Sequence, residues 1–345
     1  MNDTLSILVY GAGAIGSYLG GSLALQGQRV TFLERPHNAP TLKKDGLRLK
    51  LDDGEHQLKE YGVATSLSEA LDQGSYDVAL FALKSYDTAA ALEDMQARED
   101  AMPPVLCLQN GVDNEPALAD VLGEDKVLAG TVTTAVAKSG PGQIQLERKR
   151  GVGIANGHPL SERLHAAMTA AELNPDMYAK AAEMKWSKLL TNLLTNASCA
   201  ILDITPAQIF ENKDLFRLEM LQLREALAVM RAQGLGVVDL PGTPVRALAF
   251  AARRISLSLA RPLMARAVGR GRGGKMPSLH IDLHSGRGRS EDGWLNGAVV
   301  RHGEALGVQT PVNRVLHETL SGLVSGDLDA DEYRRQPAKL LRSLD

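Results

Sequence analysis

Leu5-Ser6-Ile7-Leu8-Val9-Tyr10-Gly11-Ala12-Gly13-Ala14-Ile15-Gly16 is the stretch of sequence on which the fold turns. Residues 5–10 are a short apolar run that ends at glycine, the pattern of a buried parallel strand. Residues 14–26 follow with helical spacing, and residues 29–33 read as a second strand. Gly11, Gly13 and Gly16 form a GxGxxG run between the first strand and the helix. The first glycine allows a tight turn, the second lets backbone approach a pyrophosphate, and the third lets helix pack on strand. Glycine is common in this chain, with 33 residues, so the pattern alone is weak. Its placement in a βαβ unit is what makes it a dinucleotide-binding reading.

Working outward, residues 66–72 and 88–97 read as helices, and residues 76–83 and 105–109 as strands. Strands alternating with helices imply a parallel sheet covered on both faces. Past residue 128 the texture changes. Residues 131–137 and 151–155 read as strands around the turn Ser139-Gly140-Pro141-Gly142, and antiparallel additions at the far sheet edge would account for them. From about residue 179 helical periodicity dominates. The expected fold class is α/β, an N-terminal Rossmann doubly wound sheet followed by an all-helical C-terminal domain. The boundary is placed at residues 175–182, giving domains of 1–179 and 180–345.

A chain of 345 residues is comfortable for two domains. Its 44% apolar and 23% charged content and net charge of -3 describe an ordinary globular protein with no bias toward nucleic acid. Cys107 and Cys199 are too few for a disulfide framework or a metal site, and no metal is expected. No segment has the length of a membrane span or the pattern of a signal peptide. A cytoplasmic setting is the simplest expectation.

The end of the second strand, Leu33-Glu34-Arg35-Pro36, bears on the choice of dinucleotide. An acidic residue there binds the ribose hydroxyls of NAD, and an arginine meets the 2′-phosphate of NADP. Glu34 and Arg35 argue in opposite directions. We favour NADP, because Arg35 precedes proline on extended backbone and can reach across the ribose; NAD is the alternative.

In the second half, residues 184–196 read as one helix. Lys188, Asn192 and Asn196 stand at i, i+4 and i+8, within roughly 80° of one face, beside many leucines. Such groups need partners once they lose water, and a polar ligand would supply them; a solvated face is the plainer reading. A second polar cluster runs through Ser278, His280, Asp282, Ser290, Glu291 and Asn296. Ser278 could serve as a helix cap and Glu291 as a first-turn acid.

Taken in order, these motifs resemble the ketopantoate reductase (2-dehydropantoate 2-reductase) family. The resemblance covers most of the chain. It rests on Gly11 to Gly16, Leu83-Lys84, Gln109-Asn110-Gly111, Pro141-Gly142 and Trp186-Ser187-Lys188 with Asn192 and Asn196. It closes on Ser278, Asp282, Ser290-Glu291 and Asn296-Gly297. It implies NADPH-dependent reduction of a 2-oxo acid to a 2-hydroxy acid, 2-dehydropantoate to pantoate. Lys188 matches the family's general acid, and Asn110 the residue beside nicotinamide and substrate. Asn192 and Asn196 match substrate contacts, Ser278 a carboxylate contact and Glu291 a hydroxyl contact. Lys84 matches a lysine near the cofactor ribose. Gly11, Gly13, Ala14, Ile15, Gly16 and Arg35 complete the expected NADP set. The implied partner is a small-molecule 2-oxo acid, without nucleic acid or membrane span; the sequence allows a homodimer without deciding it.

The chain departs from the family pattern in two places. Glu291-Asp292-Gly293 stands where members usually carry Glu-Ile-Asp. Between residues 240 and 281 lie eight basic residues (Arg246, Arg253, Arg254, Arg261, Arg266, Arg270, Arg272 and Lys275) and no acidic one. Residues 247–267 read as an amphipathic helix and 269–274 as a loop. The basic insert, placed at about 240–276, is a solvated face, a lid for an anionic substrate, or an oligomer or membrane-surface contact. Two other functions stay open: a related dehydrogenase acting on a different 2-oxo acid or an imine, and a non-catalytic NADP-binding regulator.

Overall fold

The computed structural model describes residues 4–256, 261–262, 276–286 and 288–344. The chain divides into two compact units. One takes in residues 1–109, 113–185 and 240–243; the other takes in 110–112, 186–239 and 244–345.

The first unit is built on strands β1 (Ser6–Tyr10), β2 (Arg29–Leu33), β5 (Gly62–Ala64), β6 (Val78–Phe81), β7 (Val105–Cys107), β8 (Val127–Val132), β11 (Val152–Ala155) and β12 (Pro175–Tyr178). They form an eight-stranded sheet in the order β5-β2-β1-β6-β7-β8-β11-β12. From β5 through β8 every pairing is parallel, and β11 turns antiparallel to β8. The order steps outward from β1 in both directions, the doubly wound topology that places a ligand at the carboxyl ends of the strands.

Both sheet faces are buried, as the unbroken apolar strands require. Ile7 and Val9 join Leu19 and Leu23 of α1 (Ala14–Leu25) and Leu164 and Met168 of α6 (Ser161–Ala170). Leu8 and Tyr10 face the other way. They join Leu67 of α3 (Leu67–Gln73), Met95 of α4 (Thr88–Gln96) and Leu118 and Leu122 of α5 (Asn114–Leu122). Alternate residues of one strand thus anchor opposite layers.

The region past residue 128 differs from expectation. Residues 131–137 are not one strand: the chain leaves the main sheet at Thr133-Thr134, and β9 (Ala135–Gly140) and β10 (Gln143–Arg148) form a hairpin in a separate sheet. Its remaining strands are β3 (Leu47–Leu51) and β4 (Gly54–Leu58), in the order β4-β3-β10-β9. Leu47, Leu49 and Ile144 of this sheet join the core around α1. Only β11 and β12 extend the main sheet's far edge.

The second unit is helical. Its centre is α10 (Lys213–Ala232), opened by Asn212, whose side chain accepts the N–H groups of Asp214 and Leu215. Glu225 of α10 accepts the N–H groups of Val312 and Asn313, both at 2.9 Å, and so caps the helix Pro311–Ser325. Asn313 Oδ1 and Gln222 Oε1 both accept from Asn296 Nδ2 at 3.0 Å. This buried polar chain fixes the register of three helices where apolar packing alone would tolerate sliding. The basic stretch begins with α11 (Val245–Arg254), which ends where Ile255 turns extended (ψ 137°). The helix expected over residues 247–267 is therefore interrupted after Arg254, and residues 261–262 are helical again. The rest of that expectation, like the loop at 269–274, lies almost wholly outside the described residues. Among the described residues no helix is long and apolar enough to cross a membrane. Cys107 and Cys199 are free thiols, both buried.

Candidate active site

The glycine turn leaves β1 at Gly11, whose φ of +103° suits glycine and strains other residues. Its N–H donates to Leu33 O at 3.2 Å, tying the turn to β2. A Cβ on Gly16 would stand 2.0 Å from Gly11 O, so only glycine lets α1 start so close to the strand. Above Gly13, by contrast, a Cβ would meet nothing within 4 Å. The backbone there faces open space. Gly13 opens α1 without a side-chain cap, and no acidic residue sits in the first turn. Amides near Ala14 and Ile15 thus head a helix dipole with no built-in anion. The surroundings of this turn fit a dinucleotide pyrophosphate. Lys138 of β9, which sequence reasoning did not single out, donates its Nζ to Ala12 O at 2.9 Å and adds a cation beside the turn.

Glu34 and Arg35 occupy different surroundings. Glu34 is only 9% exposed, and its Oε1 accepts the Arg35 N–H at 2.8 Å and Asn38 Nδ2 at 3.2 Å. Its carboxylate is engaged in bracing the turn. Arg35 is exposed, and its guanidinium meets half-buried Asp87 at 3.1 Å. An exposed pair of this kind contributes little and exchanges readily for a stronger anion. Asp87 in turn donates its N–H to Lys84 O at 2.9 Å. Arg35 and Lys84, far apart in sequence, are joined through Asp87.

In the helical unit, Lys188 and Asn192 lie one turn apart on α7 (Ala181–Leu193), both half-buried. Asn192 Nδ2 donates to Asn110 Oδ1 at 3.0 Å. Asn196 is not on this helix, contrary to the expected single helix over residues 184–196. The helix ends at Leu193, Thr195 adopts φ 59°, and Asn196 opens α8 (Asn196–Leu202). A left-handed β-branched residue is costly and needs a brace. Fully buried Glu219 supplies it: its carboxylate accepts the Thr195 N–H at 2.6 Å, the Ser198 hydroxyl, and Gln222 Nε2. The break redirects Asn196, whose Nδ2 donates to Ser278 Oγ at 3.3 Å while its Oδ1 accepts the Leu279 N–H at 3.0 Å. Ser278 therefore begins its helix (Ser278–His284) without capping it. Glu291 is buried, at the head of the short turn Asp292–Trp294. Beside it, burial pushes the Asp292 carboxyl up, and the His317 contact at 2.6 Å only partly offsets this. Two amide-based pairs thus form, Asn110–Asn192 and Asn196–Ser278.

One buried ion pair escaped sequence reasoning. Lys185, near the start of α7, is 4% exposed. Its ammonium meets Glu115 at 2.7 Å and donates to Gln109 O at 2.6 Å and Gly130 O at 3.3 Å. Burial alone would depress its pKa; the neighbouring negative charge of Glu115 outweighs burial and raises it. The clamp holds the carbonyl immediately before Asn110. Its sequence signal was a lysine inside the apolar context of Met184, Trp186 and Leu189.

A glycine turn on a doubly wound sheet, followed by a helical unit carrying a lysine and paired amides, defines a dinucleotide-dependent oxidoreductase architecture. Residues 7–158 match the family model "Ketopantoate reductase PanE/ApbA", and residues 180–324 match its C-terminal counterpart. The chain belongs to the ketopantoate reductase family. A 2-dehydropantoate 2-reductase of Halobacterium salinarum is 29% identical over 321 residues, spanning 90% of this chain and 96% of that protein. A PanE/ApbA family ketopantoate reductase of Ralstonia eutropha JMP134 superposes with a TM-score of 0.78 at 28% identity, covering 93% of this chain and 99% of the other. D-mandelate dehydrogenase, at 21% identity and a TM-score of 0.76 over 93% of this chain and 99% of its own, shares the fold.

Proposed function

We propose that this protein reduces 2-dehydropantoate to pantoate with NADPH. The observation that carries the reading is the half-buried lysine of α7 one turn from Asn192, in the unit that matches the family's C-terminal model. When bound, NADPH supplies the hydride that converts the ketone carbon to a secondary alcohol carbon. The ketone oxygen then gains negative charge and needs a proton. Lys188 donates it, and the ammonium stabilises the developing charge on the oxygen before transfer. Asn110 and Asn192 orient the reacting groups. Asn196 and Ser278 bind the substrate carboxylate end, and Glu291 accepts a substrate hydroxyl. Gly11, Gly13, Ala14, Ile15 and Gly16 hold the pyrophosphate, Lys84 the ribose, and Arg35 the 2′-phosphate.

The cofactor assignment has its own test. Arg35→Ala is expected to weaken NADPH about 10–100-fold, the loss of a charge-assisted hydrogen bond, and to leave NADH nearly unchanged. Fluorescence titration with both nucleotides measures this, and equal losses would remove Arg35 from 2′-phosphate recognition. Substrate identity is tested by steady-state rates over a panel of 2-oxo acids. The reading requires kcat/KM for 2-dehydropantoate to exceed that for pyruvate by at least about tenfold, the discrimination a pocket gains from about 1.4 kcal/mol of extra contacts. If a bulkier or more anionic oxo acid were preferred, the chain would be a related dehydrogenase instead.

A further inference from the structure

Three metal-ligating side chains converge in the helical unit, apart from the residues assigned above. His280 and His284 stand one turn apart on the helix Ser278–His284, so both imidazoles leave the same face. Their ring centroids are 4.1 Å apart. Asp203 follows α8 as its C-cap, in the left-handed conformation (φ 50°, ψ 48°) where glycine is usual. Its Oδ1 lies 2.8 Å from His280 Nε2 and 3.9 Å from His284 Nε2. One donor atom from each residue falls within 4.8 Å of the other two.

Hydrogen bonding does not account for all three groups. The 3.9 Å separation places His284 beyond hydrogen-bond reach of the carboxylate. It is held against a second imidazole, and the two repel when both are protonated. A divalent cation among the three donors satisfies every one of them. With zinc bonds of about 2.05 Å, tetrahedral ligand atoms stand about 3.3 Å apart. The two carboxylate–imidazole distances, 2.8 and 3.9 Å, bracket that value, and small side-chain rotations draw the three donors, already within 4.8 Å of one another, around one ion. The donor set, two imidazoles and a carboxylate, suits zinc and leaves a fourth position for water. The second carboxylate oxygen, Oδ2, lies 3.5 Å from Arg334 Nε, a cation beside the carboxylate on its other side. Arg334 is half exposed and also meets Asp331 at 3.2 Å, so its charge is shared.

We propose that Asp203, His280 and His284 form a zinc site joining the ends of α8 and the helix Ser278–His284. These two helices begin at Asn196 and Ser278, which are hydrogen-bonded to each other. Each has seven residues, so the site lies about 10 Å from that pair. The metal would clamp the far ends of the helices that present the two residues. The inference stands independently of the reaction proposed above. The His280–His284 spacing is visible in the sequence, but Asp203 lies 77 residues from His280 and only folding unites them.

The test is a zinc titration of the metal-free full-length protein, by calorimetry and by competition with a chromophoric chelator. One equivalent is expected to bind saturably and raise the melting temperature. Asp203→Asn and His284→Gln should each weaken binding at least about tenfold, a ligand being worth no less than its outer-shell support, and should abolish the thermal shift. His56→Ala, which alters a half-buried histidine of the other unit paired with Asp53 at 2.9 Å, should change neither. Cobalt(II) should give intense visible bands in the parent protein and lose them in His284→Gln. Should one variant fail to fold, the other and the cobalt spectrum decide. Absence of one-to-one binding, or binding that survives both substitutions, overturns the site and leaves a histidine–aspartate ion pair.

Discussion

Replacing Lys188 with alanine is expected to lower kcat by roughly 10²–10⁴-fold, the usual loss for a missing general acid, with NADPH affinity nearly unchanged. Alanine cannot replace the ammonium's chemistry. Charge develops on the ketone oxygen as the alcohol forms, and without a donor water must supply the proton. Lys188→Arg separates the two roles of the ammonium. Arginine keeps the positive charge but does not release a proton at neutral pH, so it should recover ground-state binding and little of kcat. Stopped-flow and steady-state rates on the three proteins measure this. An equal fall in NADPH affinity and kcat would mark Lys188 as a structural residue of α7.

Lys185→Met is expected to destabilise the first unit by about 3–5 kcal/mol, the cost of leaving one member of a buried pair uncompensated. Methionine fills the aliphatic volume but offers nothing to Glu115 or to the carbonyls of Gln109 and Gly130. The double replacement Lys185→Met with Glu115→Leu should recover most of the loss, because it removes the stranded charge. Urea unfolding of the four proteins reads the coupling. The pH dependence has a definite sign. The folded-state pKa of Lys185 is raised, so its contribution is complete below the ordinary lysine value. It is lost only as pH rises through the higher folded value. The destabilisation of the single variant should therefore be constant across the neutral range and shrink in strong alkali. A loss confined to acid would contradict the assignment.

Much of this was legible in the sequence where the signal is local. The strand Arg29–Leu33 and the glycine turn follow from short-range pattern and backbone sterics. The sequence put Glu34 and Arg35 side by side, but no pattern contains the fact that Glu34 folds back onto Arg35 N–H and Asn38. The second sheet was missed at two points. The alternation Leu47-Arg48-Leu49-Lys50-Leu51 before Asp53-Gly54 is a hairpin signal that was passed over. The bend at Thr133-Thr134 carries no glycine or proline. Distant partners impose it, since Thr133 Oγ1 donates to Pro241 O at 2.8 Å, 108 residues on. The break before Asn196 was hidden for the same reason. Its brace, Glu219, lies 24 residues from Thr195 in the chain. Sequence placed Lys188, Asn192 and Asn196 on one helical face; the structure instead gives Asn192 to Asn110 and Asn196 to Ser278.

The central claim is that this family member carries out hydride transfer to a 2-oxo acid, with Lys188 completing the alcohol. The most direct measurement is a single turnover with 2-dehydropantoate and NADPH deuterated at the transferring position of the nicotinamide, followed by mass spectrometry and NMR of the product. The account predicts pantoate with deuterium at carbon 2 and NADP⁺ in equal amount, and almost no product in the same interval with Lys188→Ala. NADPH that binds tightly while the oxo acid is recovered unchanged would contradict it and point to a nucleotide-binding regulator.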